Sequence, residues 1–295
     1  MAETPFYPYC KPYRDRNECP CIHVSNDGLH WTEVVENPLD NLDSTGEKQL
    51  DYYSDPHLVM DGDTLECWYR INKRYGNKND HEHVYLLRRK TTDGMHWSER
   101  DTLFRLSDIQ ELEIVSPAIL HPDSTYQMWY VDNNKVFYID SNNPRQWTNP
   151  KVCKLNGYDE CIPWHIDVVN ADGYYWLLIY DIVKIRLSLW KSSDKMNFEF
   201  VKTILDPSHA CGSFYQNALY RSCLLKESDK NYKIYFSAFN EEMTFLGLME
   251  GTSFRDMEIV NIDNANYSDF PLLLKYYFLT RWRAIYFRFR HAEDK

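Results

Sequence analysis

The sequence predicts an all-β protein, a five-bladed β-propeller with an appended C-terminal segment, and three observations carry that prediction. A hairpin phrase recurs four times, a second phrase of strand plus turn recurs beside it, and the repeat length suits one four-stranded blade. The first hairpin runs from Ser54-Asp55-Pro56-His57-Leu58-Val59 through the polar turn Asp61-Gly62-Asp63 to Leu65-Glu66-Cys67-Trp68-Tyr69-Arg70. Apolar runs on either side of an Asp-Gly turn are what a tight hairpin requires. The other copies are Ser116 to Tyr130, His165 to Leu178 and Arg221 to Phe236, which makes Asp55, Ser116, His165 and Arg221 equivalent positions. These lie 61, 49 and 56 residues apart. A unit of about fifty-five residues leaves room for about five units in the chain.

The second phrase is a strand ending in Ser/Thr-x-Asp-Gly-x-x-Trp. It occurs at Ser25 to Trp31 and at Thr91 to Trp97, with looser echoes at Ser141 to Trp147, Ser192 to Phe198 and Met249 to Phe254. Each supplies a turn that Asp and Gly can make and an aromatic plug for the next unit. The stretch from Phe6 to Cys21 has no clear period and reads as an irregular lead-in. The fifth blade must therefore combine the strand Ile22 to Trp31 with another end of the chain. Residues 1–267 are assigned to the propeller and 268–295 to a basic, aromatic C-terminal segment. There Phe270, Leu274, Tyr277 and Phe278 have helical spacing, while Trp282 to Arg290 approaches strand alternation.

Bulk properties narrow the partners. With 33 Lys and Arg against 44 Asp and Glu, the net charge of -11 argues against nucleic acid or an anionic membrane as the main partner. Eight cysteines without CxxC pairs read as mostly reduced, buried thiols, the lone Cys19-Pro20-Cys21 included. Neither a basic-then-apolar leader nor a run of about eighteen apolar residues is present, so a soluble, cytoplasmic protein is expected. Asp80-His81-Glu82-His83 lacks an i,i+4 ligand pair, and Asp61-Gly62-Asp63 is a hairpin turn rather than a calcium loop.

In a propeller the innermost strand of each blade lines a central channel, and alternate side chains share a direction. Asp55 with His57, Ser116 with Ala118, His165 with Asp167, and Arg221 with Cys223 then fall in one register. The opposite register, with Leu58, Ile119, Ile166, Val168 and Leu224, suits packing between blades. An acidic, histidine-bearing funnel is the expected site. Trp164 and Tyr220 flank the ring and could stack on sugar faces.

The motif Ser54-Asp55-Pro56-x-Leu58-Val59, with the Asp-Gly-x-x-Trp turns, resembles the five-bladed glycosidase superfamily of arabinanases, β-xylosidases, invertases and levansucrases. The resemblance covers roughly Phe6 to Val260 and implies action on a glycosidic bond. It implies that Asp55 is the base or nucleophile. In the second blade, Ala118 of Ser116-Pro117-Ala118 stands where the superfamily has a carboxylate. In the third, His165 lies near the place of the acidic Glu, with Asp167 two residues on. Asp167 and Glu113 are therefore the candidate proton donors, because such hydrolysis needs paired carboxylates about 5 Å apart for retention or roughly 6.5–9.5 Å apart for inversion. His57, Ser116, Trp164, His165, Tyr220 and Arg221 are the candidate substrate contacts. No cofactor is called for; some relatives carry a central calcium ion, which the His and Asp ring could imitate. An oligo- or polysaccharide is the expected partner, with homo-oligomerisation through the C-terminal segment open. The alternatives are a non-catalytic carbohydrate-binding or surface-assembly propeller and a protein-interaction scaffold.

Overall fold

The computed structural model describes residues 1–3, 20–33, 39, 52–72, 84–106, 114–158, 160–209, 215–239 and 244–260. The C-terminal segment 268–295, Glu113 and the stretch Asp80 to His83 lie outside them. In chain order the strands are β1 (Ala2–Glu3), β2 (Cys21–Val24), β3 (Thr32–Glu33), β4 (Tyr52–Asp61), β5 (Thr64–Asn72), β6 (Val84–Thr91), β7 (Asp101–Arg105), β8 (Val115–Leu120), β9 (Tyr126–Asp132) and β10 (Lys135–Ser141). They continue as β11 (Lys151–Val152), β12 (Lys154–Asn156), β13 (Pro163–Ala171), β14 (Tyr174–Asp181), β15 (Arg186–Ser192), β16 (Asn197–Leu205), β17 (Ala218–Ser228), β18 (Asn231–Phe239), β19 (Thr244–Gly251) and β20 (Glu258–Ile259).

The fold is all-β and propeller-like. Four sheets keep sequence order as meanders, β4-β5-β6-β7, β8-β9-β10-β11, β13-β14-β15-β16 and β17-β18-β19-β20, the third extended by β12 pairing parallel to β16. Where five blades were expected, the described residues form four, because the sheet β1-β2-β3 has only three strands of two to four residues. The expected hairpins are present in register. Asp61 pairs with Thr64 around Gly62 at φ 58°, and Ala171 pairs with Tyr174 around Asp172 and Gly173 at φ 56° and 75°. A left-handed turn of this kind matches the twist of the strands it joins.

The chain divides into two compact units, Met1–Met128 with Ile139–Asn149, and Trp129–Tyr138 with Pro150–Lys295. In the first, Ile22, Tyr53, Cys67, Tyr69, Ile71 and Leu87 form one core cluster. In the second, Trp176, Leu178, Leu187, Leu189, Leu219, Ile234, Phe236 and Phe254 anchor another. Strands covered on both faces read as continuous apolar runs, and each buried Leu or Phe contributes about 1.5–3 kcal/mol. Among the cysteines, Cys21, Cys67 and Cys153 are buried free thiols, as expected, whereas Cys223 is exposed.

The Asp-Gly phrase folds as a self-contained turn. Ser25 Oγ accepts Gly28 N–H at 2.8 Å, Asp27 Oδ1 accepts the N–H groups of Leu29 and His30 at 2.8 Å, and Trp31 Nε1 donates to Gly28 O at 3.2 Å. Thr91, Asp93, Gly94 and Trp97 repeat the pattern, with Trp97 Nε1 3.2 Å from Gly94 O. Asn143 replaces the aspartate in the next copy, where Trp147 Nε1 donates to Pro144 O at 2.9 Å. In the fourth, Asp194 accepts Met196 N–H and Asn197 N–H at 2.9 and 2.8 Å, and Lys195 takes the glycine position at φ 73°. The Phe198 side chain has no N–H to give, and Trp129 Nε1 donates to Lys195 O instead, at 2.9 Å. Donation by the Asn197 N–H and amide holds the Asp194 carboxyl well below the usual range.

Candidate functional site

Asp55 sits in a β-bulge that shifts the β4–β5 register between Ser54 and His57, with its backbone at φ 53°. A non-glycine residue held there is uncommon, and such bulges re-aim side chains. Its carboxylate, 7 % exposed, forms an ion pair with the Arg70 guanidinium. Arg70 also donates to Ser54 Oγ at 3.1 Å, and Asn72 Nδ2 donates to the same oxygen at 3.1 Å. Arg70 and Asn72 were not singled out in the sequence. The available signal was the hairpin register, which sets Arg70 directly across from Ser54.

The equivalent positions in the other sheets carry the same irregularity. Ser116 is fully buried at φ 51°. The β13–β14 register shifts between Pro163 and His165, and the β17–β18 register between Leu219 and Ser222, across Tyr220 and Arg221. All four predicted equivalents therefore lie in or at a distortion near the start of their sheet's first strand, where that strand stops behaving as a regular ladder.

Two residues further along, on the first and third of these strands, a side chain ties its strand to the first strand of the next sheet. In the first unit His57 Nε2 lies 3.0 Å from Ile119 O, and a carbonyl can only accept, so this nitrogen carries the proton. In the second unit Asp167 Oδ2 accepts Leu224 N–H at 2.7 Å. Ile119 and Leu224 are each three residues past the repeat equivalents Ser116 and Arg221. Burial pushes the Asp167 carboxyl up to about 7, against the pull of the Leu224 N–H and the Arg221 charge.

Also in the second unit, the buried His165 ring packs edge-on to Tyr220 at 4.4 Å between centroids and to Trp164 at 6.1 Å. Tyr180 stacks on His165 at 6.4 Å and meets Tyr220 edge-on at 6.0 Å. His165, Trp164 and Tyr220 are thus brought together, and Tyr180 is the member sequence reasoning missed. Glu113 precedes the fully buried Ile114.

A separate buried network was also missed. Glu66, fully buried, accepts Trp68 Nε1 at 2.8 Å and Arg88 at 3.1 Å and pairs with Lys90 at 2.5 Å, while Tyr126 donates to it at 3.1 Å. Arg88 continues to Asp101 at 3.0 Å. Every charge there has a partner inside the first unit, so the network reads as a structural tie. Among the described residues no group of three or more His, Cys, Asp or Glu is placed to hold a metal ion. Nor is any helix among them long and apolar enough to cross a membrane.

No family model matches the chain. Two uncharacterized proteins of Mycobacterium tuberculosis, from strains CDC 1551 and H37Rv, are each 21% identical over 164 residues, which is 54% of this chain. The chain spans about half the length of these curated relatives, 52% of each. Among solved structures, an N-acetylgalactosamine deacetylase from F. plautii, in complex with blood group B trisaccharide, is similar at TM-score 0.65 and 19% identity, over 88% of this chain and 82% of that one. A family 117 glycoside hydrolase produced by the marine bacterium Zobellia galactanivorans is similar at TM-score 0.56 and 11% identity, over 76% and 73%. A structure from work on the GH130 family, whose glycoside hydrolases target β-1,2 mannosidic linkages in Candida mannan, is similar at TM-score 0.52 and 13% identity, over 73% and 71%. At these identities the likeness establishes the propeller-like fold.

Proposed function

We propose that the protein is a glycoside hydrolase-like propeller that acts on a glycosidic bond in its central funnel, with five blades once the sheet β1-β2-β3 is completed by chain outside the described residues. Asp55 serves as base or nucleophile, and the observation that carries this reading is its buried ion pair with Arg70 on a left-handed bulge. An ionised carboxylate held in one orientation by a guanidinium is what a base or nucleophile at that position needs. Glu113 or Asp167 supplies the proton; a carboxyl that titrates near 7 is half protonated at neutral pH. His57, Ser116, Trp164, His165, Tyr220 and Arg221 contact an oligo- or polysaccharide, the aromatic members by stacking. The glycoside hydrolases among the structural neighbours support the substrate class.

A second reading is favoured by a neighbour that covers 88% of this chain, a deacetylase of N-acetylgalactosamine. In that reading Asp55 activates water against an N-acetyl carbonyl and the glycosidic bond survives.

One assay separates the two. Aryl glycosides, oligosaccharides and N-acetylated amino-sugar glycosides are incubated with wild type and Asp55→Asn, following released aglycone or reducing ends in one channel and acetate in the other. Reducing ends lost in the variant support the first reading, and acetate alone supports the second. Binding of the same sugars by an inactive wild type identifies a lectin-like propeller and overturns both.

A further inference from the structure

The third sheet carries a groove well away from the candidate site. The groove runs from Tyr174, past the Asp172-Gly173 turn, along β16 to Lys202, which lies in register with Leu189, Leu178 and Asp167 and so three strands, about 14 Å, across the sheet from Asp167. It is an open groove of about 670 Å³ between β16 and the turn that follows β19. That is within the range of small-ligand clefts. All of its lining belongs to the second unit.

Its charge runs against that of the chain. Lys191, Lys202 and Arg255 line it beside two carboxylates, Asp194 and Glu199, on a protein of net charge -11. Neutral donors occupy both carboxylates without removing their charge, so the lining sets three cations against two anions. Asp194 is filled by Ser192, Met196 and Asn197 of its own turn, and Glu199 accepts Asn156 Nδ2 at 2.9 Å. None of the three cations makes an ion pair with a carboxylate among the described residues, although Lys191 pairs in register with Glu199 and its charge acts on the Asp172 carboxyl. Lys191 Nζ lies over the Tyr174 ring at 3.2 Å, and Lys202 Nζ donates to the Arg255 carbonyl at 2.7 Å. The exposed Arg255 guanidinium makes no hydrogen bond or ion pair among the described residues.

We propose that this groove is a second saccharide site, selective for a chain that carries carboxylate or sulfate groups. Arg255 offers a planar fork of donors to such an anion, and Lys191 and Lys202 add point charges on either side. The Asn197 amide is held by Asp194, and the half-buried Phe200, stacked on Tyr158 at 4.6 Å, supplies an apolar edge to the groove. Single-stranded nucleic acid is the less suitable anion, because the Tyr174 face that would stack a base is covered by Lys191. The choice of a saccharide rests on the proposed function, while the site itself is independent of Asp55.

The test is calorimetric titration of the full chain with an oligogalacturonide, a heparin-derived oligosaccharide, a neutral malto-oligosaccharide and polyuridylate. One or both acidic saccharides should bind, more weakly as salt rises, and the neutral one should not. Arg255→Ala should weaken that binding about tenfold, with Lys202→Ala similar and melting temperatures unchanged. Asp55→Asn should leave it untouched, so that a failure of the proposed chemistry and a failure of this site are told apart. Should Lys202→Ala fold poorly, the solvent-exposed Arg255→Ala decides alone. The inference is overturned if neither acidic saccharide binds, if the neutral one binds equally, if polyuridylate binds as tightly, or if Arg255→Ala changes nothing.

Discussion

Asp167 on β13 accepts the backbone N–H of Leu224 on β17 at 2.7 Å, in the strand position that His57 occupies when it reaches Ile119 O. One position of the repeat thus performs one mechanical task with opposite hydrogen-bonding polarity, a carboxylate taking a proton donor and an imidazole giving one.

The burial of Asp167 at that contact, which outweighs the pull of the Leu224 N–H, makes stability depend on pH. The folded-state carboxyl of Asp167 titrates near 7, above the usual range near 4, so the folded form holds its proton more tightly than the unfolded chain. Its contribution is fully present below about pH 4 and is lost as pH rises through about 7, a span of at most about 4 kcal/mol. Asp167→Asn keeps an oxygen for Leu224 N–H without the charge. Urea unfolding from pH 4 to pH 8 should show the variant equal to wild type at the acid end and more stable at the alkaline end. Parallel curves would refute this account.

Arg70→Met should lower stability by about 3–5 kcal/mol, because it leaves the Asp55 carboxylate buried without its counter-ion. Adding Asp55→Asn should recover much of the loss. Denaturant titration of the two single variants and the double variant measures the coupling, and simple additivity would mean that the pair is not interacting.

The four repeat equivalents could be read in the sequence because turn and hairpin signals are local. Asp61-Gly62-Asp63 needs only its own backbone to declare a hairpin, and Asp27 and Asp93 satisfy N–H groups two and three residues away. Arg70 to Asp55, Glu66 to Arg88 and Asp167 to Leu224 were not legible. Each depends on which side chains a strand register sets opposite one another or brings across from the next sheet. A period-two pattern assigns the face but not the partner. The described residues give four blades where five were expected for a related reason, since the lead-in has no repeating hairpin to count.

Gly247 illustrates a close approach with no sequence signal beyond a glycine inside a strand. It pairs with Phe236, and a Cβ added to it would lie 2.2 Å from that ring. Because Phe236 is itself fully buried, the ring has no room to yield. Gly247→Ala should therefore destabilise by about 1–3 kcal/mol, read as a lowered urea midpoint. An unchanged midpoint would mean that the core repacks freely around Phe236.

Lys195 offers the opposite case. Its φ of 73° matches Gly28 at 74° and Gly94 at 75°, a conformation that disfavours a Cβ by roughly 1–2 kcal/mol. Lys195→Gly should raise stability by about 1 kcal/mol, less what the more flexible unfolded chain takes back. Chemical denaturation checks the sign, and a less stable variant would show that the lysine side chain has a structural role of its own.

The Lys195 carbonyl has one more implication. Trp31 and Trp97 each close a turn of their own, while Trp129, sixty-six positions earlier in the chain, closes the turn that Phe198 cannot. What the architecture preserves is an occupied acceptor, whichever indole happens to occupy it. A search for the intact Asp-Gly-x-x-Trp signature recognises two turns in a chain that folds the same turn at Asn143 and Asp194 as well, so divergent relatives of this protein will be found by their geometry before they are found by their spelling.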